Sequence, residues 1–505
     1  MERLSYQTLE RQGYSGYLTP REAPVRVVQF GEGNFMRAFV DAWIDLMNER
    51  GGFDGRVQLV SPIAPGPGFR TDRALEEQEG LYTLYLQGQE GGRRVRRKRV
   101  ISCVSGCLNP YEDFAGFLAL ARIPTVRFVA SNTTEAGIAY DPDSRYGQQP
   151  PASYPAKLCR FLHERWQAGL PGVVILACEL IERNGQALRD IVLRHCREWR
   201  LEEAFARWLE EENLFCSTLV DRIVPGYPRA EAEALTAENG YEDRVMDTGE
   251  VFGFWVIEGP QSLLEELPIR EAGLEDHILV VDDHTPYKQR KVRILNGAHT
   301  AFVPGAFLAG RDIVRDCMED PVIRDFMETC IYQEIIPTLT LPRQELLDFA
   351  ASVADRFQNP YIDHQLLSIC LNSTSKWRAR VLPSVKGYWA ATGRLPRCLT
   401  ASFALYLAFC RRGETLRDRA LVGRRAGVEF LIQDDLPVLE FFLAHRGDSP
   451  EELARAVCAN QAFWGEDLTR LPGFAQAAGA CLADVEQRGA YAVMADCRKG
   501  EREHD

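Results

Sequence analysis

No stretch of apolar residues in this 505-residue chain approaches the roughly 18 that a bilayer-spanning helix requires, which excludes a helical membrane anchor. The opening residues, Met1-Glu-Arg-Leu-Ser-Tyr, hold no apolar core of the kind a secretory leader needs, so a cytoplasmic location is expected. Positive charge is in the minority: 59 Lys and Arg stand against 72 Asp and Glu, a net charge of −13. Broad nucleic-acid binding depends on the opposite balance and is not expected. A small anionic substrate needs only a local basic pocket and stays open. The fourteen cysteines never form two close C-x-x-C pairs. Reduced, mostly buried thiols are expected, with neither a disulfide framework nor a bound metal. Repeats and low-complexity tracts are absent too. Nothing in the residues sets an oligomeric state.

What is present is ordinary globular composition, 46% hydrophobic and 26% charged, in a chain long enough for two or three domains. Val25-Arg-Val-Val-Gln-Phe30 reads as a buried strand running into Gly31-Glu-Gly33. A helical pattern follows from Phe35 to Asn48 and ends at Gly51-Gly52, and Arg56–Val60 is a second strand. Strand, glycine loop, helix and strand open a doubly wound sheet. Residues 81–86 and 100–104 flank a Gly/Glu-rich turn and predict a hairpin; the six basic residues between Arg93 and Arg99 fit its solvated arm. Residues 126–130 and 173–177 predict further central strands, with a helix over 154–168 between them. Beyond about Pro286, helical patterns dominate: 291–317, 321–336, 343–357, 361–371, 397–412 and 435–446. A boundary near residue 284 therefore separates a Rossmann-like α/β N-terminal domain, 1–284, from a mainly α-helical C-terminal domain, 285–505.

Two segments carry chemistry. Gly31-Glu-Gly33 follows a strand and opens a helix, where glycine lets the backbone approach a pyrophosphate at a helix N-terminus. Met36 takes the place of the third glycine in G-x-G-x-x-G, and the second strand ends in Ser61-Pro62 with no acidic residue for a ribose hydroxyl. The other segment is Lys291-Val-Arg-Ile-Leu-Asn296-Gly-Ala-His299. On an α-helix its amine, amide and imidazole fall within an arc of roughly 140° along roughly 12 Å of axis, a set suited to a carbonyl oxygen. Gly297, inside that helix, signals close approach by another group. Polar loops after strands, Ser131–Gly137 and Cys178–Gly185, lie where ligands bind in such sheets. Asn184-Gly185 reads first as a turn, Asp221-Arg222 as a surface ion pair and Lys376 as an exposed lysine near a helix start.

Together Gly31-Glu-Gly33-Asn-Phe-Met-Arg-Ala-Phe39, Asn132-Thr-Thr-Glu-Ala-Gly-Ile138, Cys178-Glu-Leu-Ile181, Thr218-Leu-Val-Asp-Arg-Ile-Val224 and Lys291–His299 resemble the mannitol dehydrogenase family of metal-independent long-chain polyol dehydrogenases. The likeness runs from about residue 24 to about residue 475. Asn34-Phe35, the Asn132 motif and Asn359-Pro-Tyr-Ile-Asp-His-Gln-Leu-Leu367 are similar to a branch that acts on hexuronates. The resemblance implies a small-molecule hexuronate substrate and an active site between the two domains. It implies NAD at the glycine loop, held by Phe30, Gly31, Glu32, Gly33, Asn34, Phe35 and Arg37, with Thr133 and Glu135 from the second loop. It implies Lys291 as general acid/base, with Asn296 and His299 on the substrate oxygen, Lys376 near the substrate and Asp221 near the catalytic lysine. Two positions depart from the pattern: Leu180 replaces an oxygen-polarising Asn, and Ser368 replaces an arginine. Both argue against a plain hexitol, and Asn184 is the candidate to replace the lost amide. Sister activities on fructuronate or mannitol are alternatives. A dinucleotide-binding redox sensor is another, although sensing needs no Lys-Asn-His set.

Overall fold

A computed structural model describes residues 1–134 and 136–499 of the chain. Its contacts divide into two units, Met1–Gln87 with Val95–His284, and Gly88–Arg94 with Thr285–Asp505. The short segment 88–94 is thus grouped with the second unit rather than with the residues around it.

The first unit is built on strands β1 (Val25–Phe30), β2 (Arg56–Val60), β3 (Tyr82–Glu90), β4 (Arg93–Ile101), β5 (Val104–Leu108), β6 (Phe128–Ser131), β7 (Val174–Ala177), β8 (Leu214–Asp221), β9 (Asp247–Glu250), β10 (Phe254–Glu258) and β11 (Ile278–Val281). Eight of them form one sheet in the order β11-β10-β8-β7-β6-β1-β2-β5, parallel except for the antiparallel β8–β10 pair. Helices cover both faces, so β1 buries apolar side chains on both. Phe30 and Val28 pack with Phe117, Tyr154 and Phe161, while Val27 packs with Phe39, Trp43 and Trp255. Each such buried side chain contributes about 1.5–3 kcal/mol.

β1 and β2 lie where the apolar runs place them. The hairpin differs: its arms are β3 and β4, turning at Gly91-Gly92, and Val104 instead begins β5 of the main sheet. The helix after the glycine loop is Asn34–Met36, a π-helical turn Arg37–Asp41, and Ala42–Gly51, ended by Gly52 at φ +68°.

The second unit is mainly helical. Helices Gly297–Leu308, Arg343–Phe357, Arg397–Cys410 and Leu436–Ala444 fall within expected segments. The 361–371 segment shrinks to Leu366–Ile369, and helices Ser373–Arg380 and Leu382–Thr392 follow it. A further sheet was not expected: β12 (Thr415–Arg417), β13 (Ala420–Arg425) and β14 (Val428–Ile432). Its two-residue turns, Asp418-Arg419 and Ala426-Gly427, hold positive φ at both positions. Turns of that shape normally announce themselves as Asn-Gly or Asp-Gly, and neither dipeptide is present there.

All fourteen cysteines are free, twelve buried and two half-buried. Among the described residues no helix is long and apolar enough to cross a membrane.

Candidate active site

In the first unit, β1 is the point where the strand order reverses, with β2 on one side and β6 on the other. Ligands of doubly wound sheets bind beyond the carboxyl end of such a strand. Gly31, at φ +116°, occupies that end; a Cβ there would meet the Asn132 carbonyl oxygen at 3.1 Å. Gly33 is different. Its φ of −67° suits any residue, and a Cβ would find no protein atom within 4 Å. Neither conformation nor packing demands glycine at 33. The space is open at the start of a helix, where the backbone can receive an anion.

Arg37 buttresses this loop from below. Its side chain is 3% exposed; Nε donates to the Glu32 carbonyl (3.1 Å), Nη2 to Asn34 Oδ1 (2.6 Å) and Nη1 to the Val245 carbonyl. Asp247 lies 3.6 Å away, and burial lifts its carboxyl to about 7 against the pull of Arg37. The Arg37 guanidinium thus braces the loop from within the fold. Phe30 buries its ring fully in the core, and its carbonyl accepts from Asn132 N. Phe35 is half-buried and stacks on Phe39 at 5.0 Å. Glu32 accepts a hydrogen bond from Ser61 Oγ (2.8 Å).

The second loop is stitched by a carboxylate. Thr133 donates to Glu179 Oε1 from both N and Oγ1 (3.0 Å each), and Ser131 Oγ donates to Oε2 (3.2 Å). Burial raises the Glu179 carboxyl above its ordinary value. Glu135 lies outside the described residues. Asn184 begins the helix Asn184–Glu198 rather than a turn. Its Nδ2 donates to the Glu179 and Thr218 carbonyls, and its Oδ1 accepts from Gly185 N and Thr218 N, all at 2.9 Å. With both hydrogens and both lone pairs used inside the fold, Asn184 ties β8 to the loop instead of replacing the lost amide at Leu180, which is 61% exposed. Asp221 and Arg222 are buried, not a surface pair; Arg222 donates to the Phe252 and Ala38 carbonyls and stacks over Trp43.

In the second unit, Lys291–Asn296 is a π-helical turn, not a regular α-helix. A π turn closes from residue i to i+5, which is the spacing from Lys291 to Asn296, and such turns recur at functional sites. Both residues are half-buried. Gly297 follows under the Arg380 carbonyl, 3.0 Å from where its Cβ would stand, which accounts for the glycine. His299 is 9% exposed, stacks on Phe357 with ring centroids 4.0 Å apart, and meets His364 edge-on at 5.3 Å. Its Nε2 has no hydrogen-bond partner among the described residues. Burial pushes its pKa far below the ordinary histidine value, and His364, Arg356, Arg380 and Lys376 push the same way. The imidazole is neutral at physiological pH.

Lys376 is half-buried and donates to the Ile369 carbonyl (2.9 Å); burial first, and Arg380 second, lower its pKa. Sequence reading missed Arg356, His364 and Arg380. The only trace was His364, inside the Asn359–Leu367 motif. Ser368 bonds its own helix turn, Oγ donating to the Gln365 carbonyl (2.7 Å). Among the described residues, two groups have potential metal-ligand atoms within 4.8 Å of one another: Glu258, Asp283 and His284 in the first unit, and Cys330, Glu334 and Cys398 in the second. Glu334 already caps the helix Arg397–Cys410, accepting from Cys398 N (2.8 Å) and Leu399 N (2.7 Å).

A glycine loop at the switch point of a doubly wound sheet, joined in one chain to a buried neutral imidazole and a lysine, fits an oxidoreductase of the Rossmann class. Residues 25–271 match the family described as the mannitol dehydrogenase Rossmann domain, and residues 283–485 match the mannitol dehydrogenase C-terminal domain. The chain belongs to the mannitol dehydrogenase family, oxidoreductases that act on CH–OH groups. A relative from Klebsiella pneumoniae (strain 342), named altronate oxidoreductase, is 47% identical over 496 residues, 96% of this chain and 98% of the relative. The Pseudomonas fluorescens mannitol 2-dehydrogenase, solved with NAD and D-mannitol, shares the fold at a TM-score of 0.68 and 24% identity, over 99% of this chain and 100% of that one. A D-sorbitol dehydrogenase solved without substrate superposes at 0.81 with 21% identity, over 97% and 100%.

Proposed function

We propose that the chain reduces the keto-hexuronate D-tagaturonate to D-altronate with NADH, and runs the reverse oxidation with NAD. The name of the Klebsiella relative supports the product, and the departures at Leu180 and Ser368 argue against a plain hexitol. One observation carries the reading: His299 presents an unpartnered Nε2 from a buried, neutral ring, amid Lys376, Arg380, Arg356 and His364. A neutral imidazole donates to a carbonyl oxygen without giving up its proton, and the Lys376, Arg380 and Arg356 cations suit a substrate that carries a carboxylate.

NADH supplies the hydride to the ketone carbon. The open space at Gly33 fits its pyrophosphate, with Gly31, Glu32, Asn34 and Phe35 completing the loop and Thr133 facing it from the second loop. Negative charge then grows on the carbonyl oxygen. Asn296 and His299 donate to it, a contribution of about 10²–10³ in turnover for one preorganised donor. Lys291 gives the proton to that oxygen and takes it back in the reverse direction. Lys376 pairs with the substrate carboxylate.

Following NADH absorbance with tagaturonate, fructuronate and fructose tests this reading. Tagaturonate should give the highest kcat/KM, and fructose the lowest because it lacks the carboxylate. Lys291→Ala should abolish turnover and leave NADH affinity unchanged. Turnover retained in that variant, or consumption of NADH with fructose alone, overturns the assignment.

A further inference from the structure

Doubly wound nucleotide-binding sheets commonly read the adenosine ribose at the tip of the second strand, where an acidic side chain accepts from the 2′-hydroxyl. Here β2 runs into Ser61-Pro-Ile-Ala-Pro-Gly-Pro-Gly68, and the next acid, Asp72, is bound to Arg70. A carboxylate nevertheless stands at that tip, and it comes from the glycine loop. Glu32 lies between Gly31 and Gly33 and accepts from Ser61 Oγ at 2.8 Å, directly after β2. Its backbone is fixed as well, since its carbonyl accepts from Arg37 Nε at 3.1 Å.

The neighbouring cations give the second half of the case. An enzyme that takes NADPH needs an arginine free for the 2′-phosphate. The two arginines that follow β2 are both engaged by acids: Arg70 with Asp72 and Glu112, and Arg73 with Glu76 and Glu112. Glu112 spans the two, 2.6 Å from Arg70 and 2.8 Å from Arg73.

We propose that Glu32, held at the tip of β2 by Ser61, accepts the adenosine 2′-hydroxyl and makes the chain select NADH over NADPH. The side chain replaces the missing acid of the second strand, and its charge repels a 2′-phosphate. This assignment rests on the reading of the first unit as the NAD-binding part.

Titrating the full-length protein with NADH and with NADPH, following the rise in nicotinamide fluorescence, tests it without turnover. The wild type should bind NADH more tightly than NADPH. Glu32→Gln should weaken NADH by roughly ten- to hundredfold, the usual range for a hydrogen bond to a charged acceptor, and should strengthen NADPH. Ser61→Ala, which frees the carboxylate without removing it, should shift the ratio in the same direction by less. Equal weakening of both nucleotides by Glu32→Gln would mean that Glu32 only shapes the loop, and would overturn the assignment. So would an unchanged ratio. A wild type that binds neither nucleotide would instead overturn the underlying NAD reading.

Discussion

Gly33 offers a test in which stability and binding should separate. Replacing it with alanine adds one methyl group where no protein atom lies within 4 Å, at a φ of −67° that alanine adopts freely. Two small folding terms oppose each other. Loss of glycine's freedom in the unfolded chain stabilises by about 0.4–1 kcal/mol, and alanine is a poorer helix N-cap by a comparable amount. The net change should stay below about 1 kcal/mol, which moves the melting point by only a few degrees. Gly31→Ala is the contrast. Its φ of +116° and the Asn132 carbonyl at 3.1 Å impose strain of about 1–3 kcal/mol. If the open space at Gly33 receives a pyrophosphate, Gly33→Ala should lose at least about tenfold in NADH affinity, 1.4 kcal/mol, with folding nearly untouched. Thermal unfolding and NADH fluorescence titration on both variants supply the comparison. NADH affinity equal to wild type in Gly33→Ala, or unfolding as early as that of Gly31→Ala, would refute the reasoning.

His299 and Asn184 give two further expectations. Below its ordinary pKa of 6.5, the His299 ring takes up a proton in the unfolded chain but stays neutral in the folded one, so the unfolded state binds more protons. Its stabilising share is complete above that pH and is lost as pH falls below it. His299→Gln should therefore show a shallower loss of unfolding midpoint between neutral and mildly acid pH, and identical slopes would contradict a depressed pKa. Asn184→Ala removes a hydrogen bond from four buried backbone groups, of which the Glu179 carbonyl keeps another from Ile181 N, at about 1–3 kcal/mol for each left without a partner. It should melt early yet keep the KM of its folded fraction; a raised KM at wild-type stability would return Asn184 to the substrate.

Much of the first unit was legible because its signals are local. Val25–Phe30 and Arg56–Val60 are short, mostly apolar segments bounded by turn residues, the pattern of a strand covered on both faces. Gly31 showed itself because its conformation excludes other residues. The sheet β12–β14 was illegible because Asp418-Arg419 and Ala426-Gly427 adopt turns that their side chains do not advertise. Hydrogen-bonding partners were illegible for a different reason. Asn184 looked available because a sequence cannot show that Thr218, 34 positions away, uses both its donor and its acceptor.

The sequence by itself determined the class of fold, the glycine loop and the presence of Lys291, Asn296 and His299 on one segment, since each depends on residue identity and short spacing. Only the tertiary structure decided what those residues are. The π turn sets Lys291 and Asn296 one turn apart, a geometry without a residue pattern of its own. His299 is neutral because Phe357 covers it and because Arg356, His364 and the helix that carries Lys376 and Arg380 converge on it from three separate segments. Burial and summed charge are properties of neighbours in space, and Arg380 is a neighbour of His299 only once the second unit has folded.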